Sequence, residues 1–174
     1  TRARLLPCMG MLLPDILHRL VPELDQERMK PILEEVLSEE NAYVAAHGGV
    51  LYPEVEQTLA ALSARCPLFL VSNCQDGYIE AFFQAHGLGR YFTDYENPGR
   101  TGLPKADNIA LVAERNGLRR PLYIGDTQGD YDAASKAGVP FLHAAYGFGR
   151  IDRPVPSVAT FGDLPDAIRR LTPP

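Results

Sequence analysis

The sequence predicts an α/β fold: a three-layer Rossmann-like core with a parallel sheet, plus a small α-helical cap domain. Residues 1–47 show hydrophobic periodicity of the helical kind only. The remainder alternates short apolar strands with helices, a pattern typical of right-handed βαβ units and of a parallel sheet covered on both faces. With 174 residues, 45% of them hydrophobic, the chain can bury one sizeable core and a small appendage. We therefore predict the small helical cap at residues 1–47 and the α/β core at residues 48–174.

Each element is predicted from apolar spacing and from the residues that begin and end it. In the cap, apolar residues recur at helical spacing after Asp25, and Gly48 and Gly49 end the pattern. In the core, short apolar runs such as Leu-Phe-Leu-Val are bounded by polar residues, as buried strands are. Helices are predicted at residues 12–20, 25–46, 54–64, 78–86, 106–116, 128–137 and 164–171, and strands at 68–71, 92–95, 122–124 and 141–144.

Composition excludes several classes of function. A net charge of −5 argues against a nucleic-acid-binding surface, which needs a basic patch. No apolar run approaches the length of a membrane span. The cysteines, Cys8, Cys66 and Cys74, are odd in number and lack the spacing of metal ligands, which favours a reduced setting over a disulfide framework. We expect a cytoplasmic monomer or homodimer with no nucleic-acid or membrane partner.

The segment Tyr123–Asp130 brings two carboxylates, four residues apart, onto a glycine-flanked turn between a strand and a helix. Ligands bind at the carboxyl ends of strands in an open parallel sheet, so Asp126 is expected to project into a site. Mg²⁺ prefers oxygen ligands, few of them protein carboxylates. The segment therefore predicts a Mg²⁺ site at Asp126 and Asp130. The alternative is that both acids cap the following helix.

Two further loops fall at the same edge of the predicted sheet. Ser72 and Asn73 follow the strand at residues 68–71, and Lys105 precedes the helix at residues 106–116. A hydroxyl with adjacent backbone N–H groups can hold a phosphate oxygen, and a lysine can neutralise a transferring phosphoryl group. Taken singly these are weak signals, since Ser72 also fits an ordinary helix N-cap and Lys105 a surface lysine. Their order along the chain favours a phosphate site, with Asn73 as a second choice beside Ser72.

In this order the motifs resemble those of the haloacid dehalogenase superfamily, and within it the phosphoglycolate-phosphatase-like members with a small helical cap. Ser72 matches the second motif, Lys105 the third and the run from Gly125 to Asp130 the fourth. The resemblance covers essentially the whole chain. It implies that Ser72 and Lys105 bind the phosphoryl group and act in catalysis, that Asp126 and Asp130 hold Mg²⁺, and that the substrate is a small phosphorylated metabolite.

One motif of the family is absent from this sequence. The first motif, Asp-x-Asp-Gly-Thr, supplies the aspartate that attacks phosphorus and ends a strand that lies, in the family's sheet, between the strands ending at Ser72 and Asp126. The only Asp-x-Asp here begins at Asp130, inside a predicted helix where residues two apart do not face the same way. We therefore expect the nucleophile to lie upstream of this chain, and the chain to be inactive and poorly folded by itself.

The resemblance implies a Mg²⁺-dependent phosphatase that hydrolyses a small phosphomonoester through a phospho-aspartate intermediate. The alternative is a catalytically silent binding or assembly module that has the same fold and lacks the nucleophile. A receiver-type phosphoacceptor domain also combines acids, a hydroxyl and a lysine. Such a domain has no cap, so the helical residues 1–47 count against it.

Overall fold

The structure is a computed structural model that describes residues 2–171, and it confirms the α/β prediction. The helices are α1 (Arg2–Leu5), α2 (Leu13–Leu20), α3 (Gln26–His47), α4 (Val55–Ser63), α5 (Tyr78–His86), α6 (Pro98–Thr101), α7 (Lys105–Arg115), α8 (Gln128–Lys136) and α9 (Leu164–Leu171). The strands are β1 (Leu68–Val71), β2 (Phe92–Glu96), β3 (Tyr123–Gly125), β4 (Phe141–Ala144) and β5 (Ser157–Val158). The ends of the two predicted domains, residue 1 and residues 172–174, lie outside the described residues.

Local sequence sets the limits of the long helix α3. The carboxylate of Asp25 accepts a hydrogen bond from the backbone N–H of Arg28 at 2.9 Å, as an N-cap residue does. The helix ends at His47, and Gly48 follows with a φ of +62°, a conformation that glycine adopts without a steric penalty. The predicted boundary between residues 47 and 48 falls at this turn and stays a prediction. Helix α3 packs along α5, so the helical segment rests directly on the core.

The five strands form two parallel sheets. Strand β1 pairs with β2, and strands β3, β4 and β5 pair in that order. Within the described residues no strand joins β1 to β3. The backbone N–H of Ser72 donates to the carbonyl of Glu96 in β2, and that of Tyr123 donates to the carbonyl of Pro140 beside β4. Because backbone groups alternate in direction along a strand, those of Val71 and Ile124 point the other way, towards each other.

Helices cover the two faces of the sheet layer. Ile124 and Leu142 are register partners, and both pack in the apolar cluster formed with Leu164 of α9. The preceding residues, Tyr123 and Phe141, stack with ring centroids 6.5 Å apart on the opposite face, because successive strand residues point to opposite sides. There the ring of Phe141 meets Tyr131 of α8. Helices α7 and α8 pack against each other, as do α4 and α9.

The space between β1 and β3 is open, and we call it the central slot. A cavity of about 760 Å³ is lined by both strands and by Ile109 and Val112 of α7. A second cavity, of about 440 Å³, is lined by the same two strands and by Leu59 of α4 and Leu164 of α9. The slot therefore passes through the sheet layer, with apolar walls, between strands that run in the same direction.

The three cysteines are free thiols, and Cys8 is buried. Within residues 2–171, no helix combines the length and the apolar character that crossing a membrane requires.

Candidate active site

The candidate site lies at the carboxyl edge of the two sheets. Ser72 directly follows β1, Asp126 directly follows β3, and Lys105 is the first residue of α7. Parallel strands bring their carboxyl ends to one edge, which is where α/β proteins bind ligands. The topology thus gathers side chains that are 54 positions apart in the sequence (72 to 126) at the mouth of the central slot.

A buried ion pair joins two of the predicted site residues. The Nζ atom of Lys105 lies 2.6 Å from Oδ1 of Asp130, and the two side chains are 12% and 7% exposed. Lys105 is therefore not a surface lysine. Its ammonium group has the compact charge expected of a phosphate ligand, and Asp130 fixes where that charge is held.

The second oxygen of Asp130 organises the turn before α8. Oδ2 accepts hydrogen bonds from the backbone N–H groups of Asp126 and Thr127, at 3.1 and 3.0 Å, and from the hydroxyl of Thr127 at 2.9 Å. The Thr127 hydroxyl accepts in turn from the N–H of Asp130, which completes a capping box. Asp130 therefore has the capping role left open by the sequence, in addition to its contact with Lys105. The N-cap residue is Thr127 rather than Asp126.

Charge and hydrogen bonds keep Asp130 ionised. Burial acts to raise the pKa of the Asp130 carboxyl, but the charge and hydrogen bond of Lys105 and the bonds from Thr127 together outweigh burial and hold the pKa below its ordinary value. The Asp130 carboxylate is therefore charged at neutral pH. A close approach of the backbone accompanies this arrangement, since a Cβ atom at Gly125 would lie 2.5 Å from the Cβ of Asp130.

Asp126 is held by a loop on the other side of the site. Its Oδ2 accepts a hydrogen bond from the backbone N–H of Phe148 at 2.7 Å. A Cβ atom at Gly147 would collide with the side chain of Asp126, and one at Gly149 would lie 2.5 Å from its carbonyl oxygen. The prediction from sequence did not include the Phe148 N–H. The Gly-x-Gly spacing at 147–149 is the signal that identifies it, because only glycine permits this approach.

Ser72 lies in a loop rather than at a helix start. Helix α5 has Gly77 as its N-cap, so Ser72 does not cap it. The Ser72 hydroxyl hydrogen-bonds the thiol of Cys74. Burial raises the pKa of the Cys74 thiol to about 11 despite that bond, so the thiol stays protonated and unreactive at neutral pH.

Asn73 makes a contact that the sequence did not suggest. Its side-chain Nδ2 donates to the backbone carbonyl of Gly10 at 3.0 Å, across 63 positions of sequence. The amide is thus directed at the helical segment rather than at Lys105 or Asp126. Its predicted role in phosphate binding stays a prediction.

The acids fit a magnesium site only in part. Within residues 2–171, no three Asp, Glu, His or Cys side chains come together as a metal cluster. Both oxygens of Asp130 already bind Lys105 and Thr127, whereas Oδ2 of Asp126 accepts from one backbone N–H. One direct carboxylate is compatible with Mg²⁺, which is commonly held by one or two carboxylates together with water and phosphate oxygens.

Comparison with solved structures supports the fold. The chain superposes on a predicted phosphatase from Clostridium acetobutylicum with a TM-score of 0.84, covering 98% of this chain and 82% of that one at 18% identity. A predicted phosphoglycolate phosphatase from Haemophilus somnus gives a TM-score of 0.80, covering 95% and 81% at 21% identity. At such identities the likeness concerns the fold alone.

Comparison of sequences identifies the family. The phosphoglycolate phosphatase of Escherichia coli strain K12 is 32% identical over 135 residues, which are 72% of this chain and 52% of the relative. That of Salmonella typhimurium is 30% identical with the same coverage. The chain thus spans about half the length of the curated relatives it matches. The family model for haloacid dehalogenase-like hydrolases matches residues 1–144. The chain belongs to the haloacid dehalogenase-like hydrolase family.

Proposed function

We propose that this chain forms most of the active site of a Mg²⁺-dependent phosphatase, which hydrolyses a small phosphomonoester through a phospho-aspartate intermediate. The observation that carries the proposal is the buried Lys105–Asp130 pair at the carboxyl edge, directly beside Asp126. A lysine ammonium held in a largely dry site stabilises developing negative charge far better than an exposed one.

Each residue has a distinct role in the proposed reaction. The ammonium of Lys105 and the hydroxyl of Ser72 bind oxygens of the phosphoryl group, whereas the amide of Asn73 donates to Gly10. Asp130 orients Lys105 and holds the turn that carries Asp126. Asp126 would hold Mg²⁺ directly, with Asp130 behind it. When bound, Mg²⁺ would screen the charge on the phosphoryl group that otherwise repels an anionic nucleophile.

We further propose that the nucleophilic aspartate is carried by a chain segment outside this sequence. Its carboxylate would attack phosphorus while the ester oxygen leaves with a proton from a second acid of the same segment, and water would then hydrolyse the phospho-aspartate, which releases phosphate and restores the carboxylate. The central slot supports this part of the proposal, because it opens between Ser72 and Asp126 and is walled by two unpaired strand edges. The names of the sequence relatives make phosphoglycolate the first substrate to assay.

The decisive test changes Lys105 in the protein as its gene encodes it. We expect Lys105→Ala to lower kcat by about 100- to 1,000-fold, because one preorganised electrostatic donor is lost from the transition state. The measurement is release of phosphate from phosphoglycolate and from p-nitrophenyl phosphate. Lys105→Arg keeps a partner for Asp130 and preserves the fold, but we expect it to be slow as well, since the guanidinium is larger and planar.

Lys136→Ala is the matched control for this test. Lys136 is an exposed lysine of the neighbouring helix α8, 3.6 Å from Asp107, and its loss should leave kcat unchanged. Near-normal turnover in a folded Lys105→Ala protein would reduce Lys105 to a structural partner of Asp130. If the encoded protein hydrolyses no phosphomonoester, the result favours a catalytically silent binding or assembly module of the same family.

A second prediction concerns the metal and is read by calorimetry. We expect Asp126→Asn to abolish measurable Mg²⁺ binding by the encoded protein, because the direct carboxylate ligand is lost. Asp130→Asn should weaken binding only about 10- to 100-fold, the usual effect of changing a group that orients a ligand. Unchanged Mg²⁺ affinity in the Asp126→Asn protein would refute the assignment.

A further inference from the structure

The segment between the cap helices α1 and α2 makes a tight turn that reaches the core. We call residues 9–11 the Gly10 turn. The N–H of Met11 donates to the carbonyl of Cys8 at 3.1 Å, and Gly10 has a φ of +83°. Cys8 is only 2% exposed, which anchors one side of the turn, while Met9 is largely exposed. The Gly10 turn therefore projects from a buried residue, Cys8.

The Gly10 turn spans the two strand ends that carry the candidate site. On the side of β1, its Gly10 carbonyl accepts the side-chain amide of Asn73, the residue after Ser72, at 3.0 Å. On the side of β3, a Cβ atom at Gly10 would lie 3.3 Å from Cγ2 of Thr127, the residue after Asp126. A side chain at position 10 would therefore be both strained and crowded, and the turn fits against Thr127 only as glycine.

The long helix α3 is joined to the core by separate hydrogen bonds. Asn41 donates to the carbonyl of Asp76 at 2.8 Å, and Gln75 donates to Glu40 and Asn41 at 2.8 and 3.2 Å. These contacts are about thirty residues away from the Gly10 turn in the cap sequence. Among the hydrogen bonds described for residues 2–171, the one from Asn73 is the one that ties the turn itself to the core.

We propose that Asn73 is a positioning residue that latches the Gly10 turn over the active site, and that the latched turn limits the size of the phosphomonoester that can enter. The proposal rests on the proposed phosphatase function for its substrate part, but the latch itself does not. Asn73 acts through Gly10, so it governs which substrate is admitted more than how fast the phosphoryl group is transferred. Because the turn also approaches Thr127, it crosses the carboxyl edge of the sheets from β1 to β3 and acts as a lid over the site.

The test compares Asn73→Ala with Asn41→Ala in the encoded protein. The first variant removes the donor to Gly10, and the second removes a contact of the same kind from α3. Hydrogen exchange at the amides of residues 9–12 should become faster in Asn73→Ala and stay unchanged in Asn41→Ala. This readout does not depend on catalysis, so it tests the latch even if no ester is hydrolysed.

The substrate part is tested with phosphoglycolate as a small ester and p-nitrophenyl phosphate as a bulky one. In Asn73→Ala, the ratio of kcat/KM for the bulky to the small ester should rise about 2- to 10-fold, the factor that one net hydrogen bond supplies. Gly10→Ala should change exchange and selectivity in the same direction, since it pushes the turn away from Thr127.

Three results would overturn the proposal. Unchanged exchange at residues 9–12 in Asn73→Ala would remove the latch. Equal acceleration in Asn41→Ala would mean that the cap loosens as one body. An equal loss of kcat/KM for both esters, with unchanged exchange, would return Asn73 to the role of phosphate ligand.

Discussion

The outer edge of strand β2 and the inner edges of β1 and β3 all present backbone groups without a strand partner, yet they are covered in opposite ways. At the outer edge, the carbonyl of Tyr95 accepts from Arg100 at 2.6 Å and from Arg115 at 3.0 Å. The same guanidinium groups bind the carboxylates of Asp94 and Glu96. At the inner edges, the hydroxyl of Tyr123 donates across the slot to the carbonyl of Val71 at 2.9 Å.

This difference indicates that the outer edge of β2 is a true edge of the sheet, whereas the inner edges of β1 and β3 are suited to pairing with a further strand. Proteins protect a true sheet edge with charged groups and so prevent another strand from adding to it. The outer edge of β2 has this protection. The walls of the central slot are apolar on both faces, which is typical of strands in the middle of a parallel sheet. The comparison supports the proposal that an extended, largely apolar segment fills the slot, its alternate side chains entering the two cavities.

The largest expected effect follows from leaving the slot open. Residues 1–174 produced alone should show no phosphatase activity and no cooperative melting, because the slot-facing backbone groups of β1 and β3 would lack strand partners, and each such group costs up to about 1 to 3 kcal/mol where water does not reach it. That sum rivals the total stability of a domain. Adding the segment that fills the slot should restore both properties, as measured by circular dichroism melting and by phosphate release. A monomeric 174-residue protein that melts cooperatively and hydrolyses p-nitrophenyl phosphate would contradict this prediction.

Much of the fold follows from sequence periodicity, but the pairing of strands does not. The strands at Leu68–Val71 and Phe141–Ala144 have the predicted limits, since each is a short and mostly apolar run. Strand Ser157–Val158 was not predicted because two residues are too few to show a period. Nor does any periodicity reveal that β1 and β3 are unpaired, because the pairing of strands is a property of the whole sheet.

The candidate site was predicted as separate residues and not as contacts. Lys105 and Asp130 were identified from their order along the chain, but their ion pair depends on how α7 packs on α8. Asn73 and Gly10 are 63 positions apart, and only the folded cap brings them together. Local sequence contains the chemistry of a side chain, whereas its partner is set by tertiary packing. The capping role of Asp130 was foreseen as an alternative because it lies within one turn of helix.

A smaller effect is expected at the outer edge. Arg115→Ala should lower the free energy of unfolding of the encoded protein by about 1.5 to 3 kcal/mol, because hydrogen bonds to two carboxylates are lost and Glu96 is buried. Arg90→Ala is the matched control. Arg90 pairs with Glu56 at an exposed site, so its loss should cost about 0 to 1 kcal/mol. Urea unfolding measures the free energy of unfolding of both variants. Equal losses would mean that the ion pairs of Arg115 stabilise the protein no more than the exposed pair of Arg90 does.

The loss of stability at acid pH is a second test of the outer edge of β2. Burial acts to raise the pKa of Glu96, but its bonds to Arg100 and Arg115 outweigh burial and lower it. A carboxyl whose pKa is lowered by folding stabilises the protein above its unfolded pKa, and that contribution is lost as the pH falls through the lowered value. The stability of the encoded protein should therefore fall below about pH 4.5, the ordinary glutamate value. In Arg115→Ala this fall should be shallower, because less of the pKa shift remains.

The smallest effect distinguishes a filled slot from an open one. Burial, followed by the charges of Asp130 and Asp126, raises the pKa of Tyr123, so its hydroxyl remains a donor to Val71. If a strand fills the slot in the encoded protein, the Val71 carbonyl gains a backbone donor, and Tyr123→Phe should change the free energy of unfolding by no more than about 0.5 kcal/mol. If the slot stays open there, the same substitution leaves the Val71 carbonyl without a donor and costs about 1 to 3 kcal/mol.

Tyr95→Phe is the control for this comparison. The hydroxyl of Tyr95 donates to Glu80 at 2.9 Å whatever occupies the slot, and its loss should cost about 1 kcal/mol in urea unfolding. A cost for Tyr123→Phe above that of Tyr95→Phe would show that the inner edges meet no strand, and the contrast between the two kinds of edge would then need another explanation.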